Sequence, residues 1–276
     1  RDFRPFEGVF LLFMCALLFA PDLTAQEDNP LDFAGTKHRV GVEIGFTSVW
    51  QQGSYIAGCG IFEEGASPNF SIALAYDREL SSSLQFEGLA GFQTRSVSSS
   101  FLSREVVPIA TETEAVNALV DFENFGDANF SYISIQPGLK FYPVENLYVG
   151  AGVGVNLLLG ASTQYRKDIV SRTIDLDRLG LAEVFYPEEQ SSDPYSMVYE
   201  QEDRADASGV TFDGVIIVGG EFKIGEKEGP GEPRKKRLAI GPRIQYILPF
   251  VNALSDGDRG LKLGSMQFLI GMRYDL

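Results

Sequence analysis

The feature that most constrains this chain is a two-residue alternation that recurs in eight segments between Val40 and Tyr274. In the first, Val40, Val42, Ile44 and Phe46 alternate with Gly41, Glu43, Gly45 and Thr47. Successive side chains of a strand point to opposite faces, so a large apolar row against a small or charged row describes strands with one apolar and one polar face. Phe70, Ile72, Leu74 and Tyr76 repeat the pattern, and Leu84, Phe86, Ala90 and Phe92 follow after the short break at 79–83. The fourth segment sets Ile133, Ile135, Leu139 and Phe141 against Ser134, Gln136, Gly138 and Lys140, with Pro137 expected at a bulge because it removes a ladder donor. In the fifth, Leu147 to Leu159 alternate with Tyr148, Gly150, Gly152, Gly154 and Asn156. The sixth (about Val210–Ile224), seventh (Leu238–Phe250) and eighth (Met266–Tyr274) complete an even count, as an up-and-down barrel requires.

A soluble sandwich or lipocalin-like barrel also alternates, so the connections decide. They run about 51–68, 79–83, 96–129, 143–146, 165–209, 225–237 and 251–261, alternating between longer and shorter except at the last pair. With a periplasmic N-terminus the long ones fall outside the cell, which is the asymmetry of outer-membrane barrels. Aromatic residues at strand ends, including Trp50, Tyr76, Tyr148, Tyr246 and Tyr274, match rings at headgroup level. The expectation is an all-β, eight-stranded antiparallel transmembrane β-barrel with long extracellular loops, over residues 27–276, in the cell outer membrane.

Residues 1–26 read as a signal peptide: Arg1 and Arg4 precede the apolar run Val9 to Ala20, too short to span a bilayer, and then Pro21 to Gln26. Cys15 would leave with it, and the remaining Cys59 has no partner for a disulfide, which makes it a loop thiol. No separate module is expected beyond the eighth segment.

The segments Val40-Gly41-Val42-Glu43-Ile44-Gly45, Tyr148-Val149-Gly150-Ala151-Gly152-Val153-Gly154 and Phe268-Leu269-Ile270-Gly271-Met272-Arg273-Tyr274 resemble the PorT-like and OmpA-like outer-membrane barrels of Bacteroidetes and their relatives. The resemblance implies a Gram-negative envelope protein and, through PorT-like members, a link to secretion or gliding assemblies.

An eight-stranded barrel is just wide enough inside for side chains. The inner rows place Glu43, Asp77, Glu87 and Glu221 where they can pair with Lys140, Lys223, Arg243 and Arg273. Unpaired buried charge is costly, so the expected arrangement is a satisfied network that plugs the lumen; a narrow water path lined by the same groups is the alternative.

With 38 acidic against 23 basic residues and a formal charge of -15, the chain lacks the basic patch that nucleic acid requires. The single histidine, His38, precedes the first strand at the periplasmic end, out of reach of outer-leaflet lipid, so no His-dependent esterase is expected; no Asp or Glu pair is singled out for acid–base work, and the expectation is a protein that is not an enzyme. No cofactor or metal is expected either: the carboxylates from Asp168 to Asp206 lack the order of a calcium loop, and bridging to lipopolysaccharide-bound divalent ions is their minority reading. Within 165–209, Val184-Phe185-Tyr186-Pro187 and Pro194 to Tyr199 are apolar islands suited to folding over the mouth or meeting a partner. In 225–237, Lys235-Lys236-Arg237 suit a periplasmic protein or anionic headgroups. The expected partners are therefore outer-membrane lipid, lipopolysaccharide and envelope proteins reached through these two segments. The expected role is structural or interactive, with a small pore as runner-up and a lipid-acting envelope enzyme third.

Overall fold

The computed structural model describes residues 38–57, 60–110, 115–176, 180–187, 191–199, 202–204, 206–224, 238–256 and 259–276. The signal-peptide reading, Cys59 and the 225–237 turn lie outside these residues.

Among the described residues nine long strands carry the architecture: β1 (His38–Gly53), β2 (Ala66–Glu79), β3 (Leu84–Thr94), β4 (Val97–Ala110), β5 (Ala115–Val144), β6 (Leu147–Ile169), β7 (Val210–Gly220), β8 (Leu238–Pro249) and β9 (Arg259–Asp275). Eight of them close an antiparallel ring in the order β1, β2, β3, β5, β6, β7, β8, β9 and back to β1. The closing seam runs from Arg39 opposite Asp275 to Gly53 opposite Leu261. Past its end the Leu276 N–H donates to the His38 carbonyl oxygen at 2.9 Å. A closed ring leaves no strand edge facing lipid, which is what lets a sheet cross a bilayer.

The alternation sorts as expected. Phe46 is 74% exposed and Leu74 68%, while Glu87 is 1% exposed and Asp77 0%. The exterior is thus a girdle of Val, Ile, Leu, Phe and Met, and the charges are inside. Inner-row glycines let neighbouring strands coil tightly: a Cβ at Gly45 would lie 2.0 Å from the Phe268 carbonyl oxygen, and one at Gly91 2.1 Å from that of Ile72.

Residues 96–129, expected as a loop, are mostly strand. β3 and β4 lie end to end along β5, with β3 pairing Ser131 to Phe141 and β4 pairing Ala115 to Ala128. β6 flanks the other side of β5 as far as Ile169 opposite Phe122. Together β4 and the far parts of β5 and β6 form an arm beyond the girdle. Part of 165–209 joins it, because Ser196–Val198 and Glu202–Asp203 pair with β6.

The arm escaped the sequence reading because the apolar row changes phase. On β5 the even positions point inward throughout, yet the large apolar residues are the outward Ile133, Ile135 and Leu139 within the girdle and the inward Val120, Phe122, Phe130 and Tyr132 beyond it. Lipid wants apolar residues outside; water wants them inside. The switch at Tyr132/Ile133 marks the edge of the lipid-facing belt. On β6 a bulge at the same height, between Ser131 and Tyr132 of the partner strand, shifts the register, so inward Tyr165 and Ile169 keep the odd numbering of outward Leu157 and Leu159. There the bulge hides the phase change.

Pro137 sits at no bulge. It lies opposite Gly88, and the β5–β6 ladder lapses between Ile135/Val155 and Gly138/Gly152 without a shift of register.

Candidate functional site: the barrel lumen

Among the described residues, inward side chains form three layers along the barrel. Nearest the short turns, Glu43, Asp77, Glu87 and Glu221 meet Arg39, Lys140, Arg243 and Arg273, so the charges balance. Every inner row except those of β6 and β7 contributes a side chain directly, and Glu221 follows the end of β7. Arg39 Nη1 donates to Glu221 at 2.7 Å, and its Nη2 lies 3.4 Å from Asp77. Arg243 Nη1 donates to Glu43 at 2.9 Å and to Glu87 at 2.7 Å. Arg273 reaches Asp77 at 3.1 Å and Glu87 at 3.2 Å, and also bonds Glu43. Lys140 contacts Glu87 closely, stands 3.6 Å from both Asp77 and Glu221, and lies over the Tyr148 ring at 4.8 Å. With each charge facing at least one opposite charge, the desolvation that makes a lone buried ion prohibitive is offset.

Seven of the eight residues expected in this network are in it, and Lys223 is not. Lys223 lies beyond the end of β7 and is exposed at the short-turn mouth. Arg39, one step before the first alternating segment, takes the fourth cationic place. Parity predicts both residues on the inner face; only height along the barrel separates them.

The middle layer was not anticipated as a site. Arg95 donates to Asp213 at 2.6 Å. Asn156 Nδ2 donates to Asp213 at 2.7 Å, while its Oδ1 accepts from Gln93 at 2.8 Å and Ser134 at 2.7 Å. Gln267 donates onward to Gln93 at 3.1 Å. Arg95 continues the odd inward row Gln85, Glu87, Gly91 and Gln93 just past the end of β3, so the parity of the strand extends to it. Between this layer and the first, a cavity of about 30 Å³ lies against Glu43 and Gln93, room for a single water.

The outermost layer is apolar. Tyr55 and Phe62, from the small hairpin Tyr55–Ala57 and Gly60–Phe62, pack with Val49, Phe130, Tyr132, Tyr165, Leu261 and Leu263. Tyr55 Oη donates to the Gly126 carbonyl oxygen at 2.6 Å. A Cβ at Gly126 would come within 2.7 Å of the Phe62 ring, so glycine there makes room for it. Arg204 ties the segment after β6 to this hairpin by donating to the Ile56 carbonyl oxygen at 2.7 Å. Its guanidinium also bonds Asp206 and holds that carboxyl below its usual range.

The two apolar islands of the segment after β6 divide. Tyr199 packs on the mouth cluster, whereas Val184 and Tyr186 pack on Val120, Phe122 and Ile169 of the arm; Phe185 stays exposed. His38 stands at the short-turn end, its Nδ1 2.7 Å from Tyr76 Oη. Among the described residues no group of three or more His, Cys, Asp or Glu is placed to hold a metal ion.

No protein-family model matches the chain, and no curated protein matches it. Solved structures do resemble its fold. Ail, the attachment invasion locus protein of Yersinia pestis, solved with the heparin analogue sucrose octasulfate, is 12% identical over 86% of this chain and 99% of its own, with a TM-score of 0.33. Neisserial surface protein A is 11% identical over 87% and 97%, with a TM-score of 0.30. The outer membrane protein OprG from Pseudomonas aeruginosa is 10% identical over 87% and 97%, with a TM-score of 0.33. These likenesses concern the fold alone. The chain's own closed ring, apolar girdle and polar interior are those of an outer-membrane β-barrel.

Proposed function

We propose that this outer-membrane barrel is a structural and interaction protein, acting through its surfaces rather than through its lumen, as a subunit of an envelope or secretion assembly. The observation that carries the reading is the layered side-chain packing inside the barrel. A charge-balanced layer, a hydrogen-bonded layer and an apolar layer follow one another along its axis, and a permeant ion would have to break all three. The arm adds a folded surface beyond the girdle, consistent with contacts to other envelope components. In this reading the long connections face outward, the N-terminus is periplasmic, and outer-membrane lipid and lipopolysaccharide contact the girdle. The resemblance to PorT-like barrels makes secretion machinery the class of complex to look for. We assign no catalytic role, since the one histidine lies at the periplasmic end away from the outer leaflet.

Light cross-linking of native membranes, extraction in mild detergent and measurement of the particle's mass and composition test this. A discrete particle containing other envelope proteins is the expected result. Recovery of the bare barrel under conditions that preserve known envelope complexes would refute it.

A further inference from the structure

The charged layer and the hydrogen-bonded layer are joined unevenly around the lumen. On the side of β5 and β8 a chain of side chains runs from one to the other. Arg243 Nη2 donates to Gln245 at 2.8 Å, Gln245 Nε2 to Gln136 at 2.7 Å, Gln136 Nε2 to Ser134 at 3.1 Å, and the Ser134 hydroxyl to Asn156 at 2.7 Å. On the side of β1 and β2 the bonding stops short. Glu43 uses its Oε1 on Arg243 and Arg273, but its Oε2 has no hydrogen-bond partner among the described residues, and neither has the Ser71 hydroxyl. Both residues are buried, at 2% and 8% exposure, and both line the cavity of about 30 Å³ between the layers, together with Gln93 and Gln267.

A buried carboxylate oxygen and a buried hydroxyl are costly to leave unbonded, so the pair calls for a ligand that bonds both. The surroundings set its charge. Among the described residues four acids face four bases in the charged layer, and Arg95 faces Asp213 in the next. An added cation or anion would lack a counter-ion and carry the penalty of a lone buried charge. The cavity sets its size, which suits water and no organic molecule. We propose that this is a built site for a neutral water, which donates to Glu43 Oε2 and accepts from the Ser71 hydroxyl. Gln267, whose Nε2 donates to Gln93 at 3.1 Å, offers its amide oxygen as a third partner. About two to four polar partners hold an internal water. It does along β1 and β2 what Gln245 and Gln136 do across the lumen, tying the charged layer to the one above it. The site belongs to the lining and does not rest on the assembly role.

A high-resolution crystal structure of the full-length barrel tests this, with a second crystal soaked in rubidium chloride as the probe for a cation. The expected result is one density peak within about 2.6–3.2 Å of both Glu43 Oε2 and Ser71 Oγ, without a rubidium anomalous signal. Ser71→Val, which puts methyl groups in place of the hydroxyl, should lose the peak. The wild-type density decides by itself whether the site is filled, so the test stands even where the variant fails to fold. Absence of density between the two oxygens, a peak that bonds neither of them, a rubidium signal, or a peak that persists in Ser71→Val overturns the water site.

Discussion

Replacing Glu87 by alanine should lower the unfolding free energy of the barrel by about 3–5 kcal/mol, the cost of leaving buried charge uncompensated. Glu87 lies between Lys140, Arg243 and Arg273, each buried. Its removal leaves four cations facing three acids, in a space with no room for a hydration shell. Urea titration of the barrel folded into lipid vesicles, followed through the fluorescence of Trp50, the only tryptophan, reads the change. Lys223→Ala is the control. Sequence parity assigned it to the same network, but it is exposed at the rim, so its loss should stay within about 0.5 kcal/mol. Equal effects from the two variants would mean that the charged layer does not hold the barrel together.

Ile270→Arg should cost about 2–4 kcal/mol in lipid vesicles, the penalty for arginine facing the middle of the bilayer. Ile270 is central in the outward row of β9, lies opposite Ile44 of β1 and Pro242 of β8, and is 62% exposed. On a water-soluble barrel an arginine at so exposed a position would be nearly neutral. The same titration therefore separates the two environments, and a change below 0.5 kcal/mol, the range of ordinary surface substitutions, would argue against a lipid-facing girdle.

The ring and much of its lining were legible because apolar residues face out on every strand inside the girdle and most inner rows are polar or small; β7, whose inward Val215 and Ile217 are buried against Tyr148, departs from the second half of the rule. That rule placed Glu43, Asp77, Glu87, Lys140, Glu221, Arg243 and Arg273 together. It could not place Lys223 and Arg39, because alternation fixes the face of a residue and not its height. It also failed beyond the girdle. There the inward row turns apolar, as with Val120 and Phe122 on β5, and a search for apolar residues at outward positions sees a loop. A search for a change of phase would have found both the arm and the membrane boundary on that strand. On β6 the bulge near Leu159 conceals even this signal, since register shifts leave little trace in a single sequence. The Arg95–Asp213–Asn156 layer escaped because its members come from three separate strands or strand ends, and their convergence is a property of the closed ring.

The central claim is that the lumen is closed from one mouth to the other, and conductance of the pure protein in a planar bilayer tests it most directly. The account predicts a baseline without persistent single-channel openings. Sustained, ion-selective openings of the wild-type barrel would contradict it and make the molecule a pore.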